Sequence, residues 1–587
     1  MSGPVRNLRD FLAILRARGE LREIEAPVDP RLEIAEIHRR VIARGGPALL
    51  FKNPKGSSFP VVTNLFGTRE RVLLSFGERP LRFVERVVHA AETLLPPTLG
   101  KLWGLRSLAM EGLRVGMKSA RSGPVTEVEE APALDRMPVL TTWHSDGGPF
   151  VTLPLVYTEH PDKPGHNLGM YRMHVHDRAT TGMHFQIGKG GGFHLHAAES
   201  RGQALPCTVF LGGPPALVLA AIAPLPENVP ELLLASLLLG EKLARVRREG
   251  VPHPLVAEAE FALVGSVAAR ERRSEGPFGD HYGYNSLAHD YPVFRVERVF
   301  RRRDAIYPAT VVGRPRQEDF YIGDYLQELL SPLFPLVMPS VKGLWSYGET
   351  GFHSLAAAIV TDRYPREAVM SAFRILGEGQ LSLTKCLILT DRTVDLRDFR
   401  AVLKTLLERI DWKRDLFVLS QVSQDTLDYT GPKVNEGSKA VFLALGEPVR
   451  QLPETYSGGL PPGARRVEVF APGCLVIEGE PFAREKDLAS RVARHAGLDG
   501  WPLAILVDDA AEATRTTELF LWTAFTRMEP AADVHARATR VERYHVGLEG
   551  PVVIDSRMKP HYPEVIAVDE ATRDLVDRRW GEYRIEG

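Results

Sequence analysis

The stretch Glu260-Phe-Ala-Leu-Val-Gly-Ser-Val267 reads as a β-strand and lies within a long β-rich part of the chain. Similar short apolar runs, separated by turn residues, occur at 151–157, 169–176, 208–211, 216–221 and 293–300. One predicted helix, at 231–247, interrupts them. From about 125 to 309 the sequence therefore predicts a barrel or sandwich that hosts a ligand.

Regions of mixed helix and strand are predicted on both sides of this β-rich part. N-terminal to it, the patterns indicate a helix at 8–18, strands at 48–51 and 60–64, helices within 69–95 and a linker at 116–124. C-terminal to it, a helix at 321–330 leads into alternating strands and helices. The predicted domains are an N-terminal α/β region, a ligand-binding region with an inserted helix, and a linker helix with a C-terminal α/β region, at 1–120, 121–316 and 317–587.

The C-terminal region contains two similar segments, a weak internal repeat that we call the internal echo. Leu387-Ile-Leu-Thr-Asp391 precedes a predicted helix at 396–410, and Ala504-Ile-Leu-Val-Asp508 precedes another at 516–528. The two motifs are 117 positions apart. This spacing predicts a duplicated α/β unit, with the Gly/Pro-rich stretch 454–466 as its connection.

Composition excludes several classes of protein. The 73 Lys and Arg residues balance 74 Asp and Glu residues, whereas a nucleic-acid-binding protein carries a basic excess. The three cysteines are far apart and fit neither a disulfide framework nor a CxxC metal site, which favours a reducing compartment. The N-terminus has no signal-peptide pattern, and the most apolar run, 232–239, is too short to span a bilayer. We therefore expect a cytoplasmic protein without a transmembrane segment.

The motif Asn167-Leu-Gly-Met-Tyr-Arg172 carries two candidate functional side chains. On a strand, residues five apart point to opposite faces, so that Asn167 could reach a metal ion while Arg172 reaches a substrate. The alternative is a turn asparagine and a surface arginine.

The motif Glu275-Gly-Pro-Phe-Gly-Asp280-His281 places two carboxylates around a segment that has to turn. If both faced one pocket, mutual repulsion and burial would raise the pKa of one of them and make it a proton donor. A solvated surface turn is the alternative.

Three further features are weaker indicators of a functional site when each is taken alone. Glu231 follows Pro230 at a helix start, where the helix dipole favours an acidic residue without any function, although a carboxylate could also bind Mg²⁺ or Mn²⁺. The stretch 188–192 is a glycine-rich loop with one lysine, suited to a phosphate but lacking a P-loop pattern. Lys439, in Gly437-Ser-Lys439, could also reach a phosphate, or could simply be solvated.

The histidines suggest a zinc site that the rest of the sequence does not support. His174 and His176 share a strand face, and His194 and His196 form a similar pair near Glu199. The further ligands of metallo-hydrolases are missing, since the sequence contains no HExxH and Asp177-Arg178 follows His176. No GxSxG motif indicates a serine hydrolase.

Taken together and in this order, the motifs resemble the UbiD family of decarboxylases over most of the chain. The matching motifs are Asn167–Arg172, the Lys189-Gly-Gly stretch, 226–231 before a helix, Glu275–Asp280 with His281 to Tyr284, Asp304-Ala-Ile-Tyr307, Gly313-Arg-Pro315 and Gly437-Ser-Lys439. The resemblance implies a central split β-barrel of the flavin-reductase type, flanked by N-terminal and C-terminal α/β regions.

The resemblance also implies a cofactor and roles for particular residues. The cofactor is prenylated FMN, accompanied by a divalent ion, usually Mn²⁺, and a monovalent ion such as K⁺. Asn167 and Glu231 become metal ligands, and Lys439 holds the cofactor phosphate. The residues expected to contact the cofactor are Met170, Tyr171, Arg172, His184, Phe185, Gln186, Lys189 and Gly190. Glu275 and Arg172 form an ion pair, and Asp280 is the proton donor.

These roles suit a decarboxylation. The cofactor accepts the electrons left by CO₂, Arg172 orients the substrate carboxylate, and Asp280, with its pKa raised in a partly dry pocket, protonates the carbon. The sequence departs from many family members in one place, since no histidine lies shortly before Lys189 to act as a third metal ligand. His184, His194, water or a backbone group would have to replace it.

Several expectations concern substrate and partners. The motifs at 428–433 and 435–439 and the internal echo resemble the branch of menaquinone biosynthesis that decarboxylates a dihydroxynaphthoate. Alternatives are a 4-hydroxybenzoate-type decarboxylase of ubiquinone biosynthesis, an enzyme for another aryl or acrylic acid, and an FMN-dependent oxidoreductase. A flavin prenyltransferase would supply the cofactor, and we expect a homo-oligomer, either a dimer or a hexamer.

Overall fold

The computed structural model describes residues 4–93, 103, 105–186, 190–225, 229–314 and 316–585. Their contacts divide the chain into two compact units, 1–329 with 564–587 and 330–563. The last segment of the chain therefore belongs to the first unit, where Tyr583 Oη donates to Glu33 Oε1 at 2.7 Å. The domain division at 120 and 316 stays a prediction.

The largest sheet of the first unit has seven strands with antiparallel neighbours. Its order is Thr180–Gly182, His289–Arg301, Phe261–Glu275, Leu205–Leu211, Leu155–Glu159 and His166–Gly169, and Val128–Glu130 also pairs with His289–Arg301. The strand quoted first above is therefore central to this sheet. Because the strands at the two ends of this order do not pair with each other, the described residues form no closed barrel.

Burial of side chains on both faces explains why this sheet forms. In Leu205–Leu211, Val209 lies opposite Val156 on one neighbour and Leu263 on the other. All three residues are fully buried and belong to one apolar core with Phe294. Thr208 and Phe210, which alternate with Val209 along the strand, are also fully buried, so both faces of the sheet are covered at this strand.

Smaller sheets and helices complete the first unit. The sheets comprise Leu21–Ile24, Ala48–Phe51, Val61–Thr63 and Tyr307–Pro308; Leu255–Val256, Leu243–Val246 and Met117–Ala120; Phe278–Gly279 and Asn285–Ser286; and Phe150–Val151 and Met173–His174. The helices of four or more residues that begin in it are Leu8–Ala17, Glu33–Ile42, Arg69–Phe76, Arg79–Thr93, Arg106–Gly112, Gly190–Ser200, Ala216–Ile222, Glu231–Leu239, Glu318–Leu330, Glu570–Arg579 and the 3₁₀ turn Trp580–Tyr583.

Two predictions about these elements are wrong. The run at 216–221 is the helix Ala216–Ile222 and not a strand, since alanine and leucine favour helix and two prolines precede the run. The inserted helix ends at Leu239, because Gly240 adopts a left-handed conformation with φ of 83°. Residues 243–246 form a strand parallel to Met117–Ala120 instead.

Two predictions about the motifs also need correction. The strand that carries Asn167 ends at Gly169, so that Arg172 lies beyond it and the two-face argument does not apply. The glycine-rich stretch is not simply a loop, because a helix begins at Gly190. Residues 187–189, including Lys189, lie outside the described residues.

The second unit contains two five-stranded sheets with the same strand order and the same pair directions. The first comprises Val341–Ser346, Leu355–Val360, Cys386–Thr390, Glu436–Ala444 and Leu416–Ser423, and the second Ala464–Ala471, Cys474–Gly479, Leu503–Val507, His545–Asp555 and Val534–Glu542. The strands that belong to the sequence echo are the middle strands of their sheets. Residues of both sheets, including Ile388 and Ile505, share one apolar core.

Helices cover these sheets, as alternating strands and helices require. Those with four or more residues are Phe334–Val337, Glu367–Leu376, Phe399–Arg409, Leu488–Val492, Ala510–Thr514, Thr517–Thr526 and Pro530–Asp533, with a 3₁₀ turn at Gly379–Leu383. Among the helices of the described part of the chain, none combines the length and the apolar character needed to cross a bilayer.

Candidate active site

Arg172 is the centre of the candidate site. Its guanidinium donates from Nε to Glu275 Oε1 at 3.1 Å, from Nη1 to Asp280 Oδ2 at 2.5 Å and from Nη2 to Ser286 Oγ at 3.0 Å. The guanidinium carbon lies 4.5 Å from the centroid of the Phe278 ring. Arg172, Glu275 and Asp280, which the sequence singled out, therefore form one buried cluster.

Local structure explains how the two carboxylates reach the same arginine. Glu275 is the last residue of the long strand Phe261–Glu275, and the chain then turns through Gly276, whose φ is 97°. Phe278–Gly279 pairs with Asn285–Ser286, and Asp280 N donates to the Tyr284 carbonyl at 3.0 Å. The hairpin therefore brings Asp280 and Ser286 to the same side of Arg172.

Asp280 is held as a carboxylate. Its Oδ1 lies 2.5 Å from His281 Nδ1, and its Oδ2 receives the Arg172 bond described above. Burial alone would raise its pKa, but His281 and Arg172 together hold the pKa of Asp280 well below its usual range. The predicted rise of this pKa is therefore wrong for the free protein, because a guanidinium lies between the two carboxylates that were expected to repel each other.

Glu275 is fully buried and accepts from two side chains. Besides Arg172, His184 Nδ1 lies 2.8 Å from the same oxygen, Glu275 Oε1. Burial opposes ionisation of Glu275, but the bonds from His184 and Arg172 outweigh it and lower its pKa. Burial, together with the charge of Arg172, lowers the pKa of His184. The group is therefore an ionised glutamate between an arginine and a neutral histidine.

Glu231 contacts the strand that carries Asn167, at the edge of the largest sheet. Its Oε2 accepts from the backbone N–H of Leu168, the residue after Asn167, at 3.1 Å. Burial raises the pKa of Glu231. An amide and a carboxylate are hard oxygen donors of the type that Mn²⁺ and Mg²⁺ prefer, and a cation there would offset the cost of burying the charge. Within the described residues, no group of three His, Cys, Asp or Glu side chains could hold a metal ion.

Three of the residues expected to contact the cofactor, Tyr171, Phe185 and Gln186, lie at the start of the helix Gly190–Ser200. Tyr171 Oη accepts from Gly191 N at 3.2 Å, and the Tyr171 and Phe185 rings pack edge to face with centroids 5.0 Å apart. Met170 and Gln186 lie nearby in the chain and are partly exposed. A Cβ atom on Gly190 would lie only 2.2 Å from Asn167 Oδ1, so the glycine allows a close approach.

Lys439 belongs to the second unit. Its Nζ donates to the Thr384 carbonyl at 2.8 Å, and burial lowers its pKa to about 8. The neighbouring Lys385, which sequence reasoning missed, forms a buried ion pair with Asp428 at 2.7 Å.

The other histidines make contacts that do not form a metal centre. His174 and His176 pack against each other with ring centroids 4.9 Å apart. His194 Nδ1 lies 2.9 Å from Thr158 Oγ1. The side-chain hydrogen bonds described for His184 and His194 therefore go to Glu275 and Thr158, and neither goes to Asn167 or Glu231.

Three residues of the site were not found by sequence reasoning. Ser286 bonds Arg172, Asp146 Oδ1 accepts from Gly279 N at 2.8 Å, and the Asp319 carboxylate lies within electrostatic range of His281 and Asp280. Burial raises the pKa of Asp319 to about 6. Only the Glu318-Asp319 pair at the start of a helix could have drawn attention to Asp319, and acidic residues there usually serve the helix dipole.

The side chains present fit a flavin and a divalent cation. Glu275 Oε2 is buried without a hydrogen-bond partner among the described residues, as expected of a group that awaits a ligand. Asn167 and Glu231 supply hard oxygen donors beside a glycine-rich helix start.

The sequence matches three families of domains over most of its length. They are described as the N-terminal, Rift-related and C-terminal domains of 3-octaprenyl-4-hydroxybenzoate carboxy-lyase, and they match residues 12–91, 117–315 and 320–444. A protein of Chlamydia pneumoniae that is named as a subunit of 4-hydroxybenzoate decarboxylase is 50% identical over 577 residues, which is 98% of each chain. An uncharacterised protein of Chlamydia trachomatis is 51% identical over 580 residues, covering 98% of this chain and 99% of its own.

Solved structures give the same result for the fold. The UbiD-class enzyme HmfF from Pelotomaculum thermopropionicum, in complex with FMN, is 25% identical with a TM-score of 0.62, and the alignment covers 76% of this chain and 95% of HmfF. Vanillic acid decarboxylase from Sedimentibacter hydroxybenzoicus has the same mixed α/β fold, with a TM-score of 0.68 at 22% identity over 78% of this chain and 95% of that chain. The chain belongs to the UbiD family and is a decarboxylase of that family.

Proposed function

We propose that the protein removes the carboxyl group of an aromatic or α,β-unsaturated acid without net oxidation, using prenylated FMN. The observation that carries this proposal is the cluster in which Arg172 bonds Glu275, Asp280 and Ser286. A fixed guanidinium can bind a substrate carboxylate, and a carboxyl group beside it can return a proton.

Prenylated FMN, when bound, supplies an electron sink for the electron pair that CO₂ leaves behind. Tyr171, Phe185 and the start of the helix at Gly190 would hold it, and Asn167 and Glu231 would hold Mn²⁺. A monovalent ion such as K⁺ completes this proposed set. An HmfF structure contains FMN and another, of an evolved dimeric form, contains prFMN, which supports a flavin at this site.

The chain's own residues act on the carboxylate and on a proton. Glu275 and Ser286 hold the guanidinium of Arg172, which binds the substrate carboxylate in the orientation needed for cleavage of the bond to the ring or alkene carbon. Because the bound carboxylate adds a third anion at Arg172, beside Glu275 and Asp280, the pKa of Asp280 rises and Asp280 takes up a proton. After CO₂ departs, Asp280 donates this proton to the carbon that lost its carboxyl group.

We propose that Lys439, which belongs to the second unit, binds a phosphate group. Lysine binds phosphate as a point charge, and an anion would restore the charge that burial disfavours at this side chain. If this assignment is correct, Lys439→Met should bind FMN several-fold more weakly, as measured by the flavin that remains after gel filtration.

Two substrate classes are proposed. A 4-hydroxybenzoate-type acid is favoured by the name of the Chlamydia pneumoniae relative. A dihydroxynaphthoate of menaquinone biosynthesis is the other candidate, favoured by the motifs at 428–439. An FMN-dependent oxidoreductase is the alternative from a different class, but hydride transfer needs no cluster of the kind around Arg172.

The test uses the protein co-expressed with a flavin prenyltransferase and supplied with Mn²⁺. We expect CO₂ release from 4-hydroxybenzoate, a dihydroxynaphthoate or another aryl or acrylic acid in a panel, without any nicotinamide. Protein loaded with FMN alone is the control and should be inactive. Turnover that required NADH and left the carboxyl group in place would contradict the proposal.

A further inference from the structure

Hydrogen bonds of both its backbone and its side chain hold His184 beside Arg172. Its backbone N–H donates to the Arg172 carbonyl at 3.3 Å, and its Nδ1 lies 2.8 Å from Glu275 Oε1. Its ring packs against the Tyr291 ring with centroids 4.3 Å apart. The residue is 5% exposed, so the orientation of the imidazole is determined by the protein.

The contact with Glu275 fixes the tautomer of His184. A carboxylate can only accept, so Nδ1 has to carry the hydrogen in that bond. Arg172 already supplies a positive charge to Glu275, and a second buried cation with an unbonded N–H would be costly. The ring is therefore neutral, and Nε2 is left as a hydrogen-bond acceptor.

This acceptor has no partner. His184 Nε2 is buried, and no side chain or backbone group of the described residues bonds to it. Glu275 Oε2 is a second buried acceptor without a described partner. A Cβ atom on Gly182 would lie 2.8 Å from this oxygen, so the absence of a side chain at Gly182 lets the carboxylate lie close to the backbone there. Buried acceptors in native proteins have partners, so these two acceptors need a donor that the described side chains and backbone do not supply.

We propose that His184 Nε2 accepts a hydrogen bond from a hydroxyl group of the substrate, and that His184 is thereby a specificity-determining residue of the site. This inference rests on the proposed function for the presence of a substrate at Arg172. It goes further by selecting hydroxyl-bearing acids over acids of the same shape that have no donor. A site built to bond a hydroxyl rejects an analogue without one, because its buried acceptor is then left unpaired.

The test separates the two nitrogens of the ring. In His184→Asn the amide can replace Nδ1 toward Glu275 but nothing replaces Nε2, whereas in His184→Gln the amide oxygen can take the place of Nε2. The probes are 3,4-dihydroxybenzoate, 3,4-dimethoxybenzoate and benzoate. Their dissociation constants are measured by calorimetry on protein loaded with FMN and Mn²⁺, so that the result does not depend on turnover.

We expect the unmodified protein to bind 3,4-dihydroxybenzoate about 10-fold to 100-fold more tightly than the other two acids. His184→Gln should keep most of this preference and His184→Asn should lose it. A preference that survives in His184→Asn would overturn the proposal. If none of the acids bound at all, the proposed function itself would be in doubt.

A second measurement observes the protonation state of His184 Nε2 directly. In protein labelled with ¹⁵N-histidine, His184 Nε2 should resonate as an unprotonated nitrogen and should shift when 3,4-dihydroxybenzoate is added. The His184→Asn spectrum identifies the signal. A protonated Nε2, a shift caused by FMN alone, or no shift with the acid would each overturn the proposal, the last pointing to a bound water.

Discussion

Arg172 holds three side chains with one planar group, and each of its nitrogens has a different partner. Glu275 and Asp280 together carry two negative charges, whereas the guanidinium carries one positive charge, and His281 also contacts Asp280. The cluster therefore combines a fixed cation with a carboxylate, Asp280, whose pKa responds to a further anion such as the carboxylate of a substrate. This is the property that an acid catalyst beside a substrate carboxylate needs.

Substitution at Arg172 tests the importance of this planar geometry. Lysine keeps the charge but is a point donor that cannot span Glu275, Asp280 and Ser286 together. We expect Arg172→Lys to lower kcat/KM for decarboxylation about 100-fold or more. Ser286→Ala is the matched control, since it removes one neutral bond and should cost about 10-fold or less. Similar losses of kcat/KM in the two variants would show that the planar geometry of the Arg172 guanidinium is unimportant.

Asp319 provides a pH prediction. Both of its carboxylate oxygens are buried without a partner in the described structure, and its pKa is raised to about 6. A carboxyl group with a raised pKa binds a proton more tightly in the folded than in the unfolded protein, so stability falls as pH rises toward about 6. Asp319→Asn removes this titration. Its stability relative to the unmodified protein should therefore increase by about 1 to 2 kcal/mol between roughly pH 4 and pH 7.

Thermal or urea unfolding at the two pH values measures this difference. Asp304→Asn is a suitable control, because the Asp304 side chain is 76% exposed. Equal effects of Asp319→Asn at both pH values would show that the carboxylate is solvated or paired.

At the residue scale, the sequence predicted which side chains would meet but not the sign of the pKa shift at Asp280. The glycines and the proline after Glu275 indicate a turn, and a turn brings Glu275 and Asp280 close. The direction of the shift depends on what lies between the carboxylates, and Arg172 comes from a segment about 100 residues earlier. Ser286 and Asp319 could not be found because their types are ordinary at a strand end and a helix start.

The element that shapes the proposed metal and cofactor site is the start of the helix Gly190–Ser200. A Cβ atom at Gly191 would lie 2.6 Å from the Phe185 ring, and one at Gly192 would lie 2.5 Å from the Gln186 carbonyl. The glycines are therefore required by close packing. From the sequence they were interpreted as a loop, because glycine weakens a helix and its packing partners cannot be read from the local pattern.

Gly190→Ala is expected to disturb the metal site. Its Cβ would lie 2.2 Å from Asn167 Oδ1, so the Asn167 amide has to leave its present position. We expect Gly190→Ala to lose most of its bound Mn²⁺, measured by mass spectrometry of the metal content after dialysis, as should Glu231→Ala. Gly581→Ala is the control, since no atom lies within 4 Å of its added Cβ. Full metal content in both Glu231→Ala and Gly190→Ala would mean that Glu231 only begins a helix.

At the scale of the whole molecule, the mixed α/β fold and the family were predicted correctly. The described residues form no closed barrel, and the split β-barrel of the flavin-reductase type stays a prediction. Strand runs identify a sheet, but they do not tell whether its first and last strands pair. The return of 564–587 to the first unit was also not predicted, because no local pattern records a contact with a helix more than 500 residues earlier. The equal strand order of the two five-stranded sheets supports a duplicated unit, which stays a proposal.

The most direct test follows the proton that replaces CO₂. The enzyme, loaded with prenylated FMN and Mn²⁺, is supplied in D₂O with the acid that it decarboxylates, and mass spectrometry and NMR locate the deuterium. We predict one deuterium at the carbon that lost its carboxyl group. Asp280→Asn should bind FMN and the acid normally but lose CO₂ release and deuterium exchange together, by about 10²-fold to 10⁴-fold. Near-normal exchange in Asp280→Asn would contradict this account of the site and assign the proton to another group.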